Sequence, residues 1–159
     1  AAAPRVGLSA RDLSELLKTH FPSSQLPPLN NVERDVDVAY RDEIEAVHEV
    51  LIANRSSAGD YGARLAAMVA RRALEPNHLW EDLGLRERSE LTRLIARHFA
   101  PLAELNIKNM RWKRFIYRYM CESDGFAMCT TPVCTSCPDY ELCFGEEKGV
   151  SRLTPGLEN

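Results

Sequence analysis

"VDVAYRDEIEAVHEVLIA" (residues 36–53) places Val36, Tyr40, Ile44, Val47 and Leu51 at steps of three and four residues. That is the period of a single helix face, so the five side chains form one buried stripe. The opposite face takes most of a local acidic run. Residues 31–49 hold seven acids (Glu33, Asp35, Asp37, Asp42, Glu43, Glu45 and Glu49) against Arg34 and Arg41, which reads as a solvated helix face.

The same period continues outward in both directions. Upstream, Ser9 caps a helix with Asp12 three residues on, and Leu13, Leu16 and Leu17 supply its apolar face. "HFPSSQLPPLN" stops that helix, since its three prolines cannot continue one. Downstream, "RSSAG" separates the opening stretch from a helix with Tyr61, Leu65, Met68 and Val69 on one side. "EPNHLWEDLG" is a break with a short helical turn, and Leu91, Leu94, Ile95 and His98 mark the next helix. The last helix is expected from about Asn109 to Glu122, with Trp112, Phe115, Ile116 and Tyr119 inward and Gly125 as terminator. Few stretches show the β-branched alternation of strands.

The expected architecture is therefore all-α: one helical domain of about five to six helices with a C-terminal cysteine-rich loop. Its boundaries are a flexible N-terminus (1–7), a helical body (8–123), a cysteine-rich loop packed on it (124–147) and a flexible tail (148–159). A length of 159 residues suits one core and is short for two. One echo crosses the domain: Leu13, Leu16, Leu17, His20 and Phe21 recur 78 residues later as Leu91, Leu94, Ile95, His98 and Phe99. Similar amphipathic helices with similar endings, or an old duplication of a helical hairpin, account for it equally in functional terms.

A hydrophobic fraction of 45% and a charged fraction of 27% are those of a soluble globular protein, and no apolar run is long enough to span a membrane. The N-terminal "AAAPRVGLSA" lacks a sustained apolar core and reads as a disordered leader or a processed end. A cytoplasmic, monomeric protein is expected. In that reducing compartment clustered thiols favour a metal site over disulfides.

Four of the five cysteines, Cys129, Cys134, Cys137 and Cys143, fall in "CTTPVCTSCPDYELC" with the spacing C-x4-C-x2-C-x5-C. A structural zinc site takes two separated ligand pairs with a long spacer. Here there is one C-x2-C pair and no spacer, a pattern closer to a loop wrapped around an iron–sulfur cluster. Zinc, which would make this a zinc-stabilised interaction module, and a disulfide framework remain the alternatives. Pro132 and Pro138 stiffen the loop, and its hydroxyls and N–H groups are suited to bonding sulfur.

The C-x2-C-x5-C ending resembles the cluster loop of helix-hairpin-helix DNA glycosylases, which keeps a DNA-binding cluster protein as an alternative function. Against it stand a net charge of −3, the absence of an L-P-G-V-G hairpin and a first interval of four residues where that family has six. A broader resemblance is carried by "HLWEDLGLRERSELTRLIARHFAPLAELN", by "MRWKRFIYRYMCESDGFAMC" and by the C-x4-C-x2-C-x5-CFG ending. Together they resemble the NifQ family of molybdenum-processing proteins. The resemblance implies a protein that is not an enzyme: it carries an iron–sulfur cluster (4Fe-4S or 3Fe-4S), takes up molybdenum and donates it for the nitrogenase iron–molybdenum cofactor. It implies Cys129, Cys134, Cys137 and Cys143 as ligands, and the nitrogenase iron protein and the cofactor-assembly scaffold as partners, without nucleic acid or membrane.

Residues 108–118 carry Lys108, Arg111, Lys113, Arg114 and Arg118 and no acid. Beside the bland reading of a solvated face, Arg111, Lys113, Arg114 and Arg118 are candidates for docking an acidic partner or attracting molybdate, with partner docking the better of the two. Cys121, the fifth thiol, and His98 are candidate auxiliary ligands, each weighed against a buried structural role.

Overall fold

The computed structural model describes residues 6–23, 38–125 and 133–150. Among them are eight α-helices and no strand, in agreement with the all-α expectation: α1 (Ala10–His20), α2 (Val38–Ala53), α3 (Gly59–Ala73), α4 (Leu79–Asp82), α5 (Arg88–His98), α6 (Ala100–Leu105), α7 (Trp112–Ser123) and α8 (Tyr140–Phe144). Three of these, α4, α6 and α8, are short turns of helix, which is why the count exceeds five or six. No helix among the described residues is long and apolar enough to cross a membrane.

The core lies where α2 packs on α3 and α7, with α5 and α6 closing it. Val47, Leu51, Val69, Leu91, Ile95, Phe99, Leu102 and Ile116 are fully enclosed. Ile44 packs against this cluster, Tyr40 is 53% exposed, and Val36 lies outside the described residues. The α2 stripe thus holds from its middle to its C-terminal end.

The face expected of α3 holds for Val69, which is in the core, and for Leu65, which packs against it, and is corrected for Tyr61 and Met68. Its buried side is Gly62, Ala66, Val69, Ala70 and Ala73, while Tyr61 is half exposed. Small side chains let two helix backbones approach closely, and the bulkier residues are displaced to the flanks. There Met68 packs with Leu16 and Leu17 against Leu8 and Leu13 of the N-terminal segment.

α1 begins as expected: the Ser9 hydroxyl oxygen accepts from the Asp12 N–H at 3.0 Å, and Ser9 Oγ donates to the Asp12 carboxylate at 2.5 Å. The echo between α1 and α5 extends to the backbone. Both helices end in a phenylalanine of nearly the same conformation, Phe21 (φ −136°, ψ 55°) and Phe99 (φ −138°, ψ 50°), each donating its N–H four residues back. Their surroundings differ, since Phe99 is buried and Phe21 exposed.

α7 starts three residues later than expected. The buried Asn106 side chain accepts from the Met110 N–H (2.8 Å) and donates to the Met110 carbonyl (2.9 Å), closing a loop in which Asn109 takes a left-handed φ of 54°. From Trp112 onward the expectation holds: Trp112, Phe115 and Ile116 are buried, and the Trp112 indole N–H donates to Thr92 Oγ1 at 3.0 Å. Gly125, at φ 81°, ends the helix. A Cβ in that left-handed region is disfavoured, so glycine is the natural stop.

Candidate metal centre

The cysteine segment returns to the N-terminal end of α7. Cys134 opens a 3-10 turn (Cys134–Ser136) closed by the Cys137 N–H on the Cys134 carbonyl at 3.0 Å. α8 follows, with the rings of Tyr140 and Phe144 one helical turn apart and 5.0 Å between centroids. Cys121, Cys134, Cys137 and Cys143 are free thiols; Cys143 is 7% exposed within the core and the other three are half-buried. Cys129 lies outside the described residues. Among the described residues, no three histidine, cysteine or acidic side chains gather as a metal-binding group.

What holds this segment is largely the basic run. The Arg111 N–H donates to the Cys143 carbonyl at 2.8 Å, while its guanidinium donates Nε to the Gly145 carbonyl (2.9 Å) and Nη2 to the Glu146 carbonyl (3.0 Å). A Cβ on Gly145 would lie 2.5 Å from the Glu141 carbonyl oxygen and 2.8 Å from Arg111 Nη2, so this close approach requires glycine. Arg114 pairs with Asp139 at 3.6 Å. Lys113 turns the other way, into the body, where its ammonium donates to Asp82 Oδ2 (2.8 Å) and to the carbonyls of Glu75 and Asn77. Those three bonds use all three of its donors. Arg118 pairs with Glu122 one turn on at 2.7 Å.

Sequence reasoning missed a second anchor. Glu147, with only 5% of its side chain exposed, sits against Arg88 at 3.2 Å and His78 at 3.8 Å. Val150 then donates its N–H to Glu81 Oε1 at 3.0 Å. Arg88 also donates to the carbonyls of Asn109 and Met110, tying the start of α5 to the loop before α7. Beside this anchor a cavity of about 580 Å³ is lined by His78, Arg111, Lys113, Arg114, Leu142 and Glu147. Lys108, on the far side of the loop, brings its ammonium 3.7 Å from Cys134 Sγ.

The auxiliary candidates lie elsewhere on the fold. His98 ends α5 at the opposite end from Arg88; its ring bonds the Ser57 hydroxyl and meets Tyr61 in a tilted contact at 5.4 Å, and Tyr61 also meets His20 at 6.3 Å. Burial holds the His98 imidazole below its ordinary value, with the Arg97 charge adding to the shift. The described side-chain contacts of His98 are thus with Ser57 and Tyr61, not with the cysteine segment. Cys121 lies in the last turns of α7, whose first turn is the part adjoining Cys143.

Comparison with known proteins places the sequence in a family. The sequence pattern of the NifQ family matches residues 1–145. The chain is 41% identical to a protein NifQ homolog of Sinorhizobium fredii over 157 residues, covering 98% of this chain and 67% of the relative. It is 39% identical to protein NifQ of Azotobacter vinelandii (89% of this chain, 78% of the relative) and 41% identical to that of Rhodobacter capsulatus (90% and 77%). No solved structure matches. By sequence pattern and by identity along most of its length, the chain belongs to the NifQ family.

Proposed function

We propose that this protein is a molybdenum carrier for the biosynthesis of the nitrogenase iron–molybdenum cofactor, built around an iron–sulfur cluster and acting without catalysis of its own. Membership of the NifQ family supports the role in nitrogen fixation. The observation that carries the finer reading is the seating of three free thiols, Cys134, Cys137 and Cys143, at the basic end of α7 in a chain that matches the family through residue 145.

The chemistry of the donors suits an iron–sulfur cluster, although the described thiols are not gathered as a closed site. The thiols are unlinked, they lie within ten residues of chain, and soft thiolates are the ligands that such clusters take. Cys129 completes the set by spacing. When bound, the cluster supplies sulfide on which molybdenum, the cargo, can be held. The protein's part is to fix the thiolates, to keep one flank buried and to leave the other reachable by a donor or an acceptor. The nitrogenase iron protein and the cofactor-assembly scaffold are the proposed partners, and the cytoplasm the proposed compartment.

Duplex DNA draws less support as a ligand, because Arg111, Lys113, Arg114 and Arg118 each contact groups of this chain. The test is metal and sulfide analysis of anaerobically purified protein beside its visible spectrum. A brown protein with iron, sulfide and molybdenum is expected. A colourless protein that binds one tight zinc after iron and sulfide reconstitution overturns the reading.

A further inference from the structure

Cys143 and Cys134 are held in opposite ways. Cys143 is packed in the core, donates its N–H to the Asp139 carbonyl at 3.2 Å and accepts from Arg111 at 2.8 Å. The chain beyond it is fastened three more times, by the Arg111 guanidinium at residues 145 and 146, by Arg88 at Glu147 and by Glu81 at Val150. Moving the Cys143 backbone therefore means unpacking α8. Cys134, by contrast, sits half-buried at the head of a three-residue turn beside Val133, which is 56% exposed. Its turn is closed by two backbone bonds, from Ser136 to Val133 at 3.1 Å and from Cys137 to Cys134 at 3.0 Å. Among the described residues, its thiol meets the Lys108 ammonium at 3.7 Å.

Resting on the cluster reading above, we propose that Cys143 is the ligand retained when metal is exchanged, that Cys134 is the ligand that lets go, and that Lys108 is a positioning residue for the freed sulfur. Letting go breaks one metal–sulfur bond. The electron pair stays on sulfur as a thiolate, and nothing is oxidised or reduced. The charge on that sulfur is greatest when it is free, so a cation 3.7 Å away favours the released state over the bound one. Cys137 shares the turn but not the described contact with Lys108, which makes it the natural comparison.

The experiment compares wild type with Cys134→Ser, Cys137→Ser, Cys143→Ser and Cys143→Ala after anaerobic reconstitution, reading iron, sulfide, the electron paramagnetic resonance signal of a three-iron cluster, and helical content. The Cys134→Ser protein is expected to keep a cluster short of one iron and to show the three-iron signal. Both Cys143 variants are expected to keep their helices and lose the cluster; the Ala variant keeps an apolar group in the buried position. In a second measurement, an iron chelator removes one iron from loaded wild type, and Lys108→Gln is expected to slow that loss about tenfold, with Lys108→Arg restoring it. A three-iron cluster in the Cys143 variants, or the same content in the Cys134 and Cys143 variants, overturns the assignment of ligands. An unchanged release rate in Lys108→Gln overturns the role of Lys108. Wild type that binds no cluster overturns the carrier reading itself.

Discussion

Replacing Lys113 with Met tests whether this residue belongs to the stability of the fold or to the docking of an anion. Its ammonium is bound to Asp82, of whose side chain 2% is exposed, and to the carbonyls of Glu75 and Asn77; 21% of its own side chain is exposed. Removing it takes the cation from Oδ2 of a buried carboxylate, although Asp82 keeps the Asn77 amide at 2.9 Å on its other oxygen. Breaking a buried pair from one side costs about 3–5 kcal/mol, and the partial exposure of Lys113 puts this case near about 3. For a domain of this size that lowers the melting temperature by roughly 6–12 °C. The assay is urea and thermal unfolding of the apoprotein followed by far-UV circular dichroism. Pairing Lys113→Met with Asp82→Leu removes both charges and is expected to recover most of the loss, because apolar replacement of a whole buried pair is often neutral. A single variant within about 1 kcal/mol of wild type, an effect on the scale of an exposed pair, refutes the structural role.

Two further outcomes follow from caps and buried polar groups. Tyr117 donates to Glu43 at 2.6 Å, and burial first, then the Glu43 bond and charge, pushes its phenol well above the ordinary value of 10.0. Its folded-state value is raised, so its contribution to stability is complete below pH 10 and declines as pH climbs from there towards the folded value; a Tyr117→Phe variant is expected to flatten that decline in unfolding curves recorded above pH 9. Ser9→Ala removes the N-cap bond to Asp12 and is expected to cost about 1 kcal/mol in urea unfolding, while an unchanged midpoint argues that α1 is not part of the cooperative unit.

How much of this was legible depended on whether the signal was local. The helices Val38–Ala53, Arg88–His98 and Trp112–Ser123 announce themselves by apolar period, and Gly125 stops the last of them as its type suggests. α3 misled because the large side chains of Tyr61 and Met68 outweigh Ala66 and Ala70 in any hydrophobic count, whereas close packing selects the small ones. α8 hid behind proline and cysteine, although Pro138 ahead of it and Tyr140 and Phe144 at i, i+4 were available as a start signal and a side-chain pair. The Arg88–Glu147 contact joins residues 59 positions apart with no pattern in common, and only the fold could bring them together.

The basic run was visible as composition, but its use within the chain was not. Residues 139–147 carry Asp139, Glu141, Glu146 and Glu147, so the run at 108–118 faces an acidic segment of the same chain. Charge matching alone would make this docking sensitive to salt, since screening at 1 M shrinks to about 3 Å. The contacts argue otherwise. Among the described contacts between the two, Arg114–Asp139 is an open pair, with 31% and 53% of the side chains exposed, and such pairs contribute about 0–1 kcal/mol. Arg111 instead bonds carbonyls, whose acceptors salt does not neutralise, and Glu147 is buried against Arg88. Amide exchange of residues 140–147 is therefore expected to stay slow in 1 M sodium chloride and to quicken in Arg111→Ala at low salt. If salt alone releases these amides, the anchor is the open pair, and Cys143 is no more firmly held than the turn at Cys134.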